Sequence, residues 1–400
     1  MKKTLAIGWV SADVFSTFGD QLYKFALPWV ILADTKSKWD LSLVSATQQA
    51  AILIFGMVIG VLVDRPKRLQ LMIGAVSAEA VGVAILSYLH VVGALVGVYA
   101  IIFLIATLGQ IYKSGVSSVL PLVVQDGQLE QANGMIQTAR TATQFLGPIV
   151  AGWLILRSNH APFLIDATTF LVLAGAMAVM QRPIAIHLPR PTAKRSLWQE
   201  TLDGVQYLRS DAILLQFAVI MALVNLGLTG ALAMVVYPIQ RDFHLHSMAG
   251  GVIVAVASFG SMLGSMATAG VVKRIGTMKA LVGSLFVVGL GIVGMAAPAM
   301  TSFFAGYALT LAGAALFNVA ILSLQQRRTP AALRGRVTST SLVMARFTAP
   351  IGALLTGVIG AAYGVESALF VNAGIVLITA VAAAWNIRHF VSTEEEVAAR

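Results

Sequence analysis

The chain has no cysteine, which removes disulfides, thiolate metal sites and cysteine nucleophiles together. Charge is scarce as well: Asp, Glu, Lys and Arg make up 11% of the residues, where a soluble domain carries roughly 25%. The six histidines are scattered, and there is neither a His-Glu-x-x-His pair nor an acidic metal cluster. No Gly-x-x-x-x-Gly-Lys-Ser/Thr loop offers a cradle for ATP phosphates. No set of acids, histidines or an activated serine gathers at one point of the sequence as an enzyme would require. Neither a metal nor a cofactor is implied. What is present is apolar: 58% of the chain is hydrophobic, more than a water-soluble fold of 400 residues could hide. The first apolar run is too long for a cleavable signal and lacks a small-residue cleavage site, so it reads as a retained transmembrane helix.

Twelve such runs follow one another, from Ile7–Ala33 to Ser367–Ile387, each near the ~20 residues a bilayer needs. The sequence therefore predicts an all-α membrane protein. Of the 27 Lys and Arg, Lys24 and Arg346 lie inside runs, and Lys36, Lys38, Arg157 and Arg241 lie on the side away from the termini. All the others fall on the terminus side. The positive-inside rule then places both termini in the cytoplasm, in the plasma (bacterial inner) membrane. The net charge of +10 is thus topological, and no nucleic-acid partner is expected.

The longest polar connection separates runs six and seven. It divides the chain into an N-terminal six-helix bundle at 1–181, a cytoplasmic linker at 182–211, a C-terminal bundle at 212–391 and a tail at 392–400. Pro183, Pro189 and Pro191 punctuate the linker, and the roughly helical apolar spacing of Leu197 to Val205 fits a short interfacial helix or a solvated linker equally. Weak repetition supports two pseudo-symmetric halves: Pro28 pairs with Pro238, Asp64-Arg65 with Lys273-Arg274 and Pro121 with Pro330 at a nearly constant offset. Pro148 and Pro350 slip from that register. Gly56-xxx-Gly60 and Gly260-xxx-Gly264 suit close helix packing.

After run two comes Gly60-Val-Leu-Val-Asp64-Arg65-Pro-Lys67-Arg68. This resembles the signature loop of the major facilitator superfamily, with Lys67 where the family usually has glycine. Phe18-Gly19-Asp20 through Lys24-Phe25-Ala26-Leu27-Pro28-Trp29 is similar to the first helix of its branch of macrolide-efflux and enterobactin-exporter-like carriers. Leu120-Pro121, Leu129 to Asn133 and Leu333-Arg334-Gly335-Arg336-Val337 resemble that branch too. Gly147-Pro148-Ile-Val-Ala151-Gly152 resembles the end of the antiporter motif, although the upstream glycines are missing. Gly109-Gln110-Ile-Tyr112-Lys113 occupies the stretch where many proton antiporters carry an arginine. The resemblance implies the twelve-helix major facilitator fold, with runs one, four, seven and ten lining a central cavity. It also implies that Gly60, Asp64, Arg65 and Arg68 help gate the cytoplasmic side.

Asp20 and Lys24 lie four residues apart near the middle of the first run. A charge at that depth costs ~2.5–3.5 kcal/mol on insertion scales and more in simulations, so such residues face a bundle interior. The spacing puts both on one helix face, where they partly neutralise each other. Asp20 is therefore the candidate proton-coupling group, because burial favours a neutral carboxyl and a nearby cation an ionised one. The alternative is a permanent structural pair. Arg346 falls about ten residues into run eleven, ~15 Å along the axis, and faces a cavity or a carboxylate. Arg140 is shallower and reads as a snorkelling interfacial residue. Glu79 reads as a structural group on a peripheral helix. Gln48, Gln49, Tyr23, Phe25, Asn225 and Asn318 are candidate substrate contacts, each equally able to serve packing or a helix–helix bond. Phe18, Phe217, Phe259 and Phe317 add aromatic surface. With Asp20 and Glu79 as the interior acids, charge counting does not choose between an acidic, zwitterionic or cationic substrate.

The expected function is secondary active transport. The first reading is a monomeric proton-coupled exporter of amphipathic small molecules such as macrolide-like drugs, an antiporter working by alternating access. A siderophore or metabolite exporter comes second and a lipid flippase third; a non-transporting membrane receptor is the reading from another class. The expected partners are a small-molecule substrate, protons and the lipid bilayer.

Overall fold

A chain inside a bilayer must satisfy its own backbone polar groups, and an apolar run of some twenty residues does so only as a helix. The computed structural model describes residues 2–63, 68–89, 95–123, 129–185, 206, 209–329 and 334–385. Each of the twelve runs lies on one long helix. The first six are α1 (Lys2–Thr35), α2 (Lys38–Val63), α3 (Arg68–Tyr88), α4 (Leu95–Val123), α5 (Leu129–Ile155) and α6 (Ala161–Ala185). The second six are α7 (Ala212–Ala233), α8 (Ser247–Ile275), α9 (Thr277–Ala296), α10 (Met300–Arg328), α11 (Arg334–Tyr363) and α12 (Val365–Trp385). Among the described residues, nine helices are long and apolar enough to cross a membrane. Helices α1 and α5, which are not among the nine, carry Asp13, Asp20, Lys24 and Arg140.

The described residues form two compact units. The first draws on Met1–Lys36, Thr47–Lys194 and Ile239–Ala255, and the second on Ser37–Ala46, Arg195–Pro238 and Val256–Arg400. In the first, α1 packs on α5 and α6, while α3 packs on α4 and α6. In the second, α7 packs on α11 and α12, while α9 packs on α10 and α12. The same pairing recurs six helices later, a stronger sign of internal repetition than the proline offsets.

Small residues set the closeness of these contacts. A Cβ on Gly260 or Gly264 of α8 would run into the backbone carbonyl of Ala308 or Ala312 on α10. Single glycines with positive φ, Gly276 (83°) and Gly364 (93°), join α8 to α9 and α11 to α12. Only glycine adopts that conformation without a steric cost, so each pair of neighbours turns back within one residue. The first turns of α8 belong to the first unit, where Ser247 Oγ donates to the Gly152 carbonyl at 2.8 Å. The core of the second unit gathers Phe217, Met221, Leu281, Leu285, Phe317 and Ile321. Phe217 and Phe317, two of the aromatics noted in the sequence, are thus packing residues.

Candidate functional site

Helix α1 places Asp13, Asp20 and Lys24 at intervals of seven and four residues, which returns all three to one side. That side faces two adjoining cavities within the first unit, of about 200 Å³ and 220 Å³. Both are lined by Asp20, Lys24, Glu79, Gly109, Lys113 and Phe170. The smaller adds Asp13, Tyr112 and Arg140, and the larger adds Tyr23, Gln48, Gln49 and Asp166.

Asp20 Oδ2 lies 3.6 Å from Lys24 Nζ, with the two side chains 25% and 49% exposed. The pair lines the cavities instead of being sealed in a dry helix contact. A half-exposed ammonium is screened by water, so the attraction between the two is weak.

Asp13 is buried, and the sequence reading passed over it. Its Oδ1 accepts a 2.6 Å hydrogen bond from the Tyr112 hydroxyl, and Oδ2 lies 4.0 Å from Arg140 Nη2. Arg140 therefore does more than snorkel: it is the ionic partner of a buried aspartate. Tyr112→Phe would leave that carboxyl short of a donor, at an expected cost of ~1–3 kcal/mol. A lower melting temperature of the purified variant, with helix content unchanged, checks this.

Asp166 on α6 is the second acid that was overlooked. It is 0% exposed. Among the described residues its carboxyl accepts one long hydrogen bond, 3.4 Å from Thr169 Oγ1 to Oδ1, and Oδ2 has no hydrogen-bond partner. Gly19 makes room for it, since a Cβ there would strike both Asp166 Oδ1 and Thr169 Oγ1. Glu79 is also drawn inward. Helix α3 packs on α4 and α6, and a Cβ on Gly109 would come within 2.8 Å of Glu79 Oε1. The expectation of a peripheral Glu79 is corrected accordingly, and so is the count of interior acids. Asp13 and Asp166 interrupt apolar runs as Asp20 does, but nearer the ends of those runs, where the depth argument is weaker.

The other candidates are dispersed. Tyr23 is buried edge-on against Phe163, with its hydroxyl beside Gln48. Phe25 is buried and stacks on Trp29, outside the residues that line the cavities. Asn225, Asn318 and Arg346 belong to the second unit. Asn225 Nδ2 donates to the Met221 carbonyl of its own helix at 2.9 Å, and Asn318 and Arg346 are exposed. Gly147 accommodates Gln21 of α1; Gly152 accommodates the Ser247 backbone, while Gly251 accommodates the Pro148 carbonyl. Asp64 and Arg65 lie outside the described residues, and Gly60 and Arg68 fall near the facing ends of α2 and α3.

The family profile described as Major Facilitator Superfamily matches residues 10–344 and 219–398. The chain belongs to this superfamily. It is a multi-pass membrane transporter, and the signature-loop resemblance at Gly60–Arg68 falls within the matched region. Among curated relatives, the uncharacterized MFS-type transporter YceJ of Bacillus subtilis (strain 168) is 24% identical over 63% of this chain and 65% of its own length. The uncharacterized MFS-type transporter y4rN of Sinorhizobium fredii is 30% identical over 70% of this chain and 68% of its own. Macrolide efflux protein A of Streptococcus pyogenes is 25% identical over 60% and 57%. The chain thus spans roughly three-fifths to two-thirds of these relatives' lengths. Among solved structures, the nucleoside transporter NupG superposes with a TM-score of 0.80 at 12% identity, covering 95% of this chain and 98% of that one. A bacterial homologue of the iron transporter ferroportin gives 0.75 at 15%, with 95% and 98% covered. Identities this low establish the shared major facilitator fold and nothing about substrate.

Proposed function

We propose that this member of the superfamily is a proton-coupled exporter of amphipathic small molecules, with macrolide-like drugs as the first class to test. The observation that carries the reading is a set of carboxyls on α1, α3 and α6, with Glu79 and Asp166 buried and Asp20 partly exposed, beside a half-exposed lysine, all lining cavities within the first unit. Carboxyls that pass between a dry and a hydrated setting change their proton occupancy, which is what coupling to a proton gradient requires. Resemblance to macrolide efflux protein A supports both the direction and the substrate class. In this scheme the bundles at 1–181 and 212–391 rock about a midplane site, with the 182–211 segment joining them. Both termini are cytoplasmic, and Asp64 and Arg65 latch that side. The Gly147-Pro148 and Gly152 segment is the surface on which α5 slides, because glycine there allows backbone-to-backbone contact. Proteoliposomes with an imposed pH gradient, screened against a panel of amphiphiles that includes a macrolide, test the reading. Gradient-dependent accumulation of at least one compound is expected, and a panel that moves only at the rate of protein-free vesicles refutes it.

A further inference from the structure

The larger cavity carries an imbalance of charge that narrows the substrate. Its wall holds three carboxyls, Asp20 on α1, Glu79 on α3 and Asp166 on α6. Against them stand two ammonium groups, Lys24 on α1 and Lys113 on α4, while α2 contributes only the neutral amides of Gln48 and Gln49. With every group ionised the wall is short of one positive charge. Asp13 and Arg140 answer each other in the adjoining cavity and leave that shortfall unchanged. Asp166 is the acid least provided for: it is fully buried, with one carboxylate oxygen unpartnered among the described residues. No group of three His, Cys, Asp or Glu among the described residues is placed to hold a metal ion. Tyr23 and Phe170 add aromatic surface beside the acids, and aromatic faces attract quaternary ammonium groups.

We infer that this cavity is a binding site for an organic monocation, and that Lys24 is a tethered competitor for it. In the structure the Lys24 ammonium lies 3.6 Å from Asp20 Oδ2 and partly satisfies the acids. One organic cation completes the charge balance, and so does one proton. Proton and cation therefore exclude each other, and binding of the cation releases a proton from the cluster. This deepens the export reading, on which it rests, by naming the charge of the cargo and the residue that sets its affinity.

The test is equilibrium binding of benzyltrimethylammonium to the full-length purified protein, with benzenesulfonate as an anion of similar size. Wild-type protein should bind the cation more tightly as pH rises and should not bind the anion. Asp166→Asn should weaken cation binding about tenfold or more, and Lys24→Met should tighten it by about as much. Should Asp166→Asn fail to fold, as judged by its melting curve, Glu79→Gln decides in its place with the same expected loss. Cation binding unchanged in the carboxyl variants, weakened in Lys24→Met, or matched by the anion overturns the inference. The readout needs no gradient, so the two readings fail separately. A protein that binds the cation with this charge dependence but moves nothing in vesicles fails as an exporter. One that exports a neutral or acidic compound without charge-selective binding fails only here.

Discussion

Gly352→Val should cost the protein more stability than any single charge change in the first unit. A side chain on Gly352 of α11 has nowhere to go: its Cβ would collide with the Leu226 carbonyl oxygen of α7 and lie 2.8 Å from the carbonyl carbon and 3.0 Å from Cα. All three are backbone atoms, so no rotamer change relieves the contact and the helices must separate. Overpacking of this kind costs typically ~1–3 kcal/mol. The separation also reaches a buried polar network. Asn372 Nδ2 donates to Thr356 Oγ1 at 2.9 Å, Thr356 Oγ1 donates to the Gly352 carbonyl at 2.8 Å, and Thr348 Oγ1 donates to the Ala222 carbonyl on α7. Where no water replaces a broken partner, each orphaned group adds ~1–3 kcal/mol. Gly230 faces the same network from α7, with Asn372 Oδ1 and the Gly352 carbonyl each 2.8 Å from where its Cβ would stand. Gly230→Val should therefore fail in the same way. A steep fall in melting temperature and a loss of monodisperse protein in detergent are the expected measurements; melting within a degree or two of wild type would show that the α7–α11 contact yields freely.

The membrane architecture was legible because its cause is one-dimensional. Twelve apolar runs are long enough to span, and a backbone without water must coil, so each run maps onto a helix with ends displaced by a few residues. The site was half legible for a related reason. A charge in an apolar run is visible, which brought Asp20, Lys24 and Glu79 to notice, and the same visibility applied more weakly to Asp13 and Asp166. What the sequence does not carry is which helices meet. Glu79 reads as peripheral until α3 is seen packed on α4 and α6 with Gly109 leaving space for its carboxyl. Arg140 reads as snorkelling until α5 is seen lying on α1, within reach of Asp13. Glycine hides the information most thoroughly. Gly19 and Gly109 have no side chain to advertise a role, yet each clears the volume that a buried acid occupies.

The absence of an arginine from the Gly109–Lys113 stretch takes its meaning from that geometry. The polar partner that α4 supplies to α1 is Tyr112, through its hydroxyl on Asp13, and the guanidinium comes from α5 as Arg140. The ionic work is divided between two helices. Asp13 is held by both of them, whereas Asp20 is held only by Lys24 of its own helix, among the ion pairs and hydrogen bonds of the described residues. A carboxyl tied to two neighbouring helices is suited to structure. One tied only within its helix can exchange its partner for a proton without unpacking anything, so in the proposed scheme the coupling role falls to Asp20 and not to Asp13.

Asp20→Asn should separate transport from the proton gradient. The amide keeps the shape of the carboxyl and its place beside Lys24, and removes both its negative charge and its capacity to bind and release a proton. A folded variant is expected, because the side chain is partly exposed to the cavity and its loss leaves no buried carboxylate behind. Gradient-driven uptake into inside-out vesicles should then fall to the rate of protein-free vesicles, a loss of about a hundredfold in rate for a tightly coupled carrier, equivalent to ~2.7 kcal/mol in effective barrier. Substrate-for-substrate exchange at equal pH involves no net proton movement and should persist once substrate is raised to saturation. The contrast between the two assays distinguishes coupling from binding: loss of both would make Asp20 a substrate ligand, and retention of both would make the Asp20–Lys24 pair structural. Lys24→Met sharpens the comparison. It leaves the Asp20 carboxyl in place without its ammonium partner, 3.6 Å away in the structure, so gradient-driven uptake should survive the substitution. Uptake lost in that variant as well would mean that the ammonium, and not the carboxyl alone, is needed for coupling.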